Sequence, residues 1–223
     1  GEWFGLTLRT RSIYASKDRV NLDDIKNYED LADPMWKGKI CTRSGKHAYN
    51  LALFASMIAH HGEADTEKWL EGVKANLARK PQGNDRAQVK AIKEGVCDIS
   101  LGNNYYYGKM LNNPDQVAWA NAVHITFPNQ NNRGTHVNIS GMALAKNSPN
   151  KANAVKLMEF LSEKLAQKMY SEQNFEYPVN PAVEPSGLLQ SWGNFKSDNL
   201  PLSDVAKLRK QAAVLVDQIG FDE

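Results

Sequence analysis

Strand and helix patterns alternate over residues 39–113, and that alternation restricts the fold more than any other feature of the chain. Short apolar runs at 39–43 and 96–101 are bounded by glycine and serine, as buried strands are. Between and after them lie segments with helical spacing, so the order reads strand, helix, helix, strand, helix, strand, helix. Such an order predicts a parallel sheet flanked by helices. The weaker strand at 77–82 contains Pro81, which a central strand does not tolerate, so it belongs at an edge.

The helices can be placed from their ends. Residues 49–60 are apolar on nearly every face, which predicts a buried helix. Asp65 or Thr66 is expected to cap the next helix, with Trp69, Leu70, Val73 and Leu77 on one face. Asn84 or Asp85 caps another that Gly95 closes. Residues 8–16 and 137–145 read as strands, and 24–32 as a short helical stretch. Pro149 opens an expected long helix to about residue 173, with Val155, Leu157, Met158, Phe160, Leu161 and Leu165 facing inward. Ser203 is expected to cap the last helix.

Composition excludes some classes of partner. The net charge of +2, with basic and acidic residues interspersed, provides no field for nucleic acid. No apolar run approaches the roughly 20 residues that span a bilayer. Gly1-Glu2-Trp3-Phe4-Gly5 reads like the inside of a fold, which leads us to expect an upstream segment. Cys41 and Cys97 form no CxxC and no Cys/His cluster, so a zinc site is not expected; they are either a disulfide or two buried thiols.

In open parallel sheets ligands bind beyond the carboxyl ends of the strands. Two such ends carry tyrosine: one runs into Ser44-Gly45-Lys46-His47-Ala48-Tyr49, the other into Asn103-Asn104-Tyr105-Tyr106. In the common doubly wound order these strands are neighbours, so three phenols can converge. Phenolate is a hard anionic ligand suited to Fe³⁺. A phenol ionises only near pH ~10, but a bound cation stabilises the charged form. Adjacent tyrosines point to opposite faces of a strand and can share a metal only where the strand has ended. The competing reading is that tyrosine pairs pack in cores, which suits Tyr107 best. Ser44 and Gly45, before a helix, either hold a small anion or form an ordinary cap. Residues 38–46 fail as a phosphate loop, because the glycine spacing is wrong and His47 replaces the required Ser/Thr. His60-His61 reads as a solvated helix end. No nucleophile signature or cofactor motif points to an enzyme.

Six segments carry a family resemblance: Trp3-Phe4-Gly5-Leu6 with Arg9-Thr10-Arg11, Trp36-Lys37-Gly38-Lys39-Ile40, residues 44–50, Asn103-Asn104-Tyr105-Tyr106, residues 133–141, and Tyr177-Pro178-Val179-Asn180-Pro181. In this order they resemble the periplasmic ferric-iron-binding proteins of bacterial ABC importers. The resemblance implies a two-lobed α/β, type II periplasmic-binding-protein fold that closes by hinge motion. It implies Fe³⁺ as cargo, Tyr105 and Tyr106 as ligands, and Tyr49 as a third. Arg9, with Arg11 as the alternative, matches the arginine that contacts a synergistic anion such as carbonate, while Ser44 and Gly45 align loosely with a phosphate-anchoring loop. It implies a non-enzymatic, monomeric, periplasmic protein that delivers iron to an inner-membrane permease. The family's first lobe starts upstream, so residues 1–10 are read as a hinge and first-lobe remnant and 128–186 as a return into that lobe. Residues 11–127 form the second lobe, against which the helices of 187–223 pack. The absent N-terminal segment would supply a further ligand. The alternative cargo is a small oxyanion or organic solute.

Overall fold

A computed structural model describes residues 3–223; Gly1 and Glu2, part of the 1–10 segment, lie outside the described residues. The chain opens with β1 (Phe4–Ser16) and passes through 3-10 turns between Leu22 and Trp36. It continues as β2 (Ile40–Cys41), α1 (Ala48–His61), α2 (Glu63–Ala75), α3 (Asp85–Lys93), β3 (Ile99–Asn103), α4 (Asn104–Leu111), α5 (Val117–Asn121) and β4 (Val123–Thr126). Then follow β5 (Val137–Met142), α6 (Lys151–Ser162), α7 (Lys164–Met169), a π-turn at Tyr170–Asn174, β6 (Tyr177–Pro178), α8 (Gly187–Gln190) and α9 (Leu202–Gln218).

β1 belongs to two sets of strands. From Arg11 onward it lies between β3 and β4, with Ile13 opposite Leu101 and Tyr14 opposite Ile125. Before Arg11 it pairs instead with β5 along Phe4 to Thr10 and with β6 at Thr7 and Leu8. All four of these pairings are antiparallel. The expected parallel neighbours do pair, Ile40 opposite Ile99 and Cys41 opposite Ser100. The sheet is therefore mixed rather than parallel throughout. Strand direction escapes the sequence because side chains alternate with a period of two in either orientation. The weak strand at 77–82 shrinks to one bridge, between Leu77 and Ile40, at the edge of the sheet.

Helices cover the sheet and fix its ends. On one face Ile13, Ile40 and Ile99 meet Leu53 and Phe54 of α1, Leu70 of α2 and Leu215 of α9, all fully buried. Each such side chain contributes about 1.5–3 kcal/mol by leaving water. On the other face Tyr14, Val89, Ile92, Tyr107 and Met110 form a second cluster. Cys41 and Cys97 are joined there as a disulfide with Cα atoms 5.8 Å apart, across adjacent strand ends. Gly102 is needed where it stands: a Cβ would lie 2.1 Å from the Tyr14 ring, which crosses directly over β3.

Several expected details differ. α2 starts at Glu63, because Gly62 at φ 80° both ends α1 and begins α2; Thr66 lies inside, its hydroxyl donating back to the Gly62 carbonyl. α9 starts after Pro201, leaving Ser203 within it. The expected helix from 149 to 173 is broken at Glu163, whose backbone is extended. No residue of α6 is buried, and Leu157 and Leu165 are 57% and 61% exposed rather than inward-facing. Trp3 and Phe4 are likewise more than half exposed. Among the described residues nothing covers this side of β5 and α6, where Phe4, Met142, Leu144, Val155 and Met158 line a groove of 890 Å³.

Candidate functional site

Both tyrosine-bearing turns sit at the carboxyl ends of the paired strands β2 and β3. The Tyr49 and Tyr105 hydroxyls come within 3.0 Å of each other. Tyr106 follows on the first turn of α4, its ring centroid 4.4 Å from that of Tyr105. All three predicted phenols are thus brought together. Tyr105 is buried, whereas Tyr49 and Tyr106 are partly open. Burial pushes the Tyr105 phenol well above the ordinary value, and hydrogen bonding with Tyr106 and Tyr49 pushes it further. Tyr107 packs between Tyr14 and Trp192.

Each turn is held by buried polar groups. The Asn104 amide accepts from Thr10 N at 2.8 Å and donates to the Phe175 carbonyl at 2.8 Å, pinning α4 to β1. Asn103 receives the Arg11 guanidinium at 3.1 Å, while its backbone N–H goes to Asp85 and its carbonyl takes the Tyr14 hydroxyl. Asn104 is spent as a tie, whereas Asn103 is both a tie and part of the wall of a small cavity beside Arg9 and Arg11. His47 caps α1, its Nδ1 accepting from Tyr49 N at 3.2 Å, with its ring edge against the Tyr49 ring. Burial, and secondarily the Arg43 charge, hold His47 below the usual imidazole value.

Cations surround the phenols. The guanidiniums of Arg9, Arg11 and Arg43 lie 5.6, 5.9 and 5.1 Å from the centre of the Tyr49 ring. Arg86 approaches Tyr106 at 5.8 Å and Lys109 approaches Tyr105 at 5.2 Å. Arg9 is positioned through Ser140 at 2.8 Å, which donates in turn to Glu176. Arg9, Arg11, Tyr49, Asn103, His136 and Asn138 enclose a cavity of 10 Å³. The buried Nε atoms of Arg9 and Arg11 and the Nε2 of His136 have no protein partner. Sequence reasoning missed Arg43, Arg86, His47 and Lys109. Lys109 had a signal, four residues beyond Tyr105 on one helix; Arg86 had none.

Ser44 and Gly45 require correction. Their donors are taken: Ser44 Oγ and Gly45 N bind the two oxygens of Asp222 at 2.6 and 2.7 Å. A Cβ on Gly45 would meet the Phe221 ring at 2.7 Å, so the loop is packed flat on the C-terminal residues. The pair does hold an anion, but it is the chain's own carboxylate. The histidines at the end of α1 are also engaged, His60 with Asp198 and His61 with Glu29, both at 2.7 Å. Among the described residues no three His, Cys, Asp or Glu side chains converge to hold a metal.

One long strand threads the mixed sheet and passes beneath the paired turns that carry the tyrosines, an arrangement that suits a solute-binding protein. The sequence agrees: residues 1–193 match the bacterial extracellular solute-binding protein family, and the chain belongs to that family. It is 42% identical over 99% of its length to "Iron uptake protein A2" of Synechocystis, of which it spans 65%. It is similar to the apo ferric ion-binding protein A of Pasteurella haemolytica, with 58% identity and a TM-score of 0.96, covering 100% of this chain and 70% of that one. A Trichodesmium protein in complex with iron and citrate ligands superposes with a TM-score of 0.94 at 45% identity, over 98% of this chain and 70% of that one. These neighbours have the type II periplasmic-binding-protein architecture, of which this chain carries a part.

Proposed function

We propose that the chain captures ferric iron through the phenolates of Tyr49, Tyr105 and Tyr106 and, as part of a periplasmic binding protein, delivers it to an ABC permease in the inner membrane. The observation that carries this reading is the 3.0 Å approach of the Tyr49 and Tyr105 hydroxyls at adjoining strand ends, with Tyr106 beside them. Three phenolates and one Fe³⁺ make a neutral unit. The surrounding guanidiniums stabilise the phenolates, and we assign to Arg9 the contact with an anion such as carbonate that fills the remaining coordination.

The names of the relatives support iron as cargo, and binding followed by release rather than catalysis. We assign residues 1–10 and 128–186 to one lobe and 11–127 with 187–223 to the other, hinged on β1, in a protein that works as a monomer. Further N-terminal polypeptide covers the open face of β5 and α6 and brings an additional ligand. Addition of Fe³⁺ should produce the visible colour of a ferric–phenolate complex, and Tyr105→Phe combined with Tyr106→Phe should abolish it. A double variant that stays coloured and binds tightly defeats the assignment. The cluster of three guanidiniums around Tyr49 favours a second reading, an oxyanion alone; calorimetry with phosphate and carbonate in the absence of iron separates the two.

A further inference from the structure

We infer that Asp85 is the positioning residue of the tyrosine cluster: one buried carboxylate that links the Tyr49 turn to the Tyr105-Tyr106 turn and sets their separation. The inference rests on the metal reading above for its functional meaning, but the geometry stands without it. Asp85 is the first residue of α3 and is fully buried. Its Oδ2 accepts from Arg11 Nη1 at 2.6 Å and from the backbone N–H of Asn103 at 2.9 Å. Its Oδ1 accepts from Arg43 Nη1 at 3.2 Å.

These contacts reach both turns. Asn103 is the last residue of β3, directly before the segment that carries Tyr105 and Tyr106. Arg43 and Arg11 both lie over the Tyr49 ring. Arg11 also donates at 2.6 Å to Asn50, the neighbour of Tyr49, and the Asn50 amide donates to the carbonyls of Arg43 and Ser44. Three segments remote in sequence therefore meet on one carboxylate carried by a fourth. Its negative charge lets two guanidiniums approach each other in a buried site, where removing one partner of an ion pair leaves the other uncompensated. With Asp85 neutral, Arg11 and Arg43 repel and the Asn103 N–H loses its acceptor. Each turn is then free to shift, and the hydroxyl separation is no longer set. Asp85 forms no hydrogen bond to a tyrosine; it acts through Arg11, Arg43 and Asn103.

The test compares Asp85→Asn, which keeps shape and removes charge, with Asp98→Asn, which breaks an ion pair to Arg19 on the rim of the same sheet. Folding of both is checked by circular dichroism. Iron affinity should fall about 10–100-fold in Asp85→Asn, the usual effect of losing an outer-shell partner, and the ferric–phenolate band should move, while Asp98→Asn leaves both unchanged. In metal-free protein the ring NMR resonances of Tyr49 and Tyr105 should shift in Asp85→Asn only. If wild type binds no iron but these resonances shift, the metal reading falls and the positioning role stands. A folded Asp85→Asn with wild-type resonances and band overturns the role. Should that variant not fold, Arg43→Gln removes the 3.2 Å contact together with the guanidinium over the Tyr49 ring. Because Asn103 meets Arg43 only through Asp85, its backbone amide resonance should move across the carboxylate, and an unmoved Asn103 amide overturns the role equally.

Discussion

Replacing Tyr105 by phenylalanine should remove one proton from the exchange that accompanies iron binding. The Tyr105 hydroxyl lies 3.0 Å from that of Tyr49. Ionising it beside a second phenolate at that distance costs about 5 kcal/mol at an effective dielectric of about 20. Burial adds to this cost, so in metal-free protein Tyr105 keeps its proton well past the ordinary phenol range. Iron must therefore displace a proton from each phenol it takes. With three phenolate ligands, affinity should fall about a thousandfold for each unit of acidification near neutrality, and about a hundredfold in Tyr105→Phe. The assay is competition against one soluble iron chelator at two pH values a unit apart. Both proteins share the chelator, so its own proton chemistry and that of aqueous iron cancel in the comparison. Equal pH dependence in the two proteins would refute the claim that Tyr105 ligates as a phenolate.

Two further outcomes follow from the scaffold. The Cys41–Cys97 bond closes a loop with a sequence separation of 56, so replacing both cysteines by alanine should lower the unfolding free energy by about 4 kcal/mol. Urea denaturation measures this, and an unchanged midpoint contradicts it. Burial holds the His136 ring neutral, pulling its pKa down to about 4. The free imidazole of the unfolded chain takes its proton first, so this stability is fully present above about pH 6.5 and is lost as the pH falls toward 4. The loss is about 3 kcal/mol, visible as a falling thermal midpoint that His136→Asn should flatten. Glu29 extends the acid sensitivity lower: burial raises its carboxyl, but hydrogen bonds from Arg133 and Asn129 outweigh that and bring it down to about 2.

Much of the scaffold was legible because it is local. Asn84 caps α3 through its own side chain, Gly95 closes it, and the apolar density of α1 foretold its burial. The same logic misled at α6, where apolar spacing implies a partner surface but does not supply one. It also misled at Ser44-Gly45. A loop before a helix offers N–H donors to any anion, and only a contact between residues 178 positions apart shows that Asp222 has taken them.

By itself the sequence determined which groups stand at strand ends: Tyr49 after β2, and Tyr105 with Tyr106 after β3. Strand breaks and helix starts are written in neighbouring residues. Only the tertiary structure decided that β1 runs antiparallel through both halves, that five cations ring the phenols, and that Arg11, Arg43 and Asn103 meet on Asp85. Most of those contacts join residues remote in sequence, Lys109 and Arg43 being the exceptions that stand near the tyrosines they approach. A buried charge takes whichever partners the packed fold brings within hydrogen-bond reach, and no local pattern of residues encodes that choice.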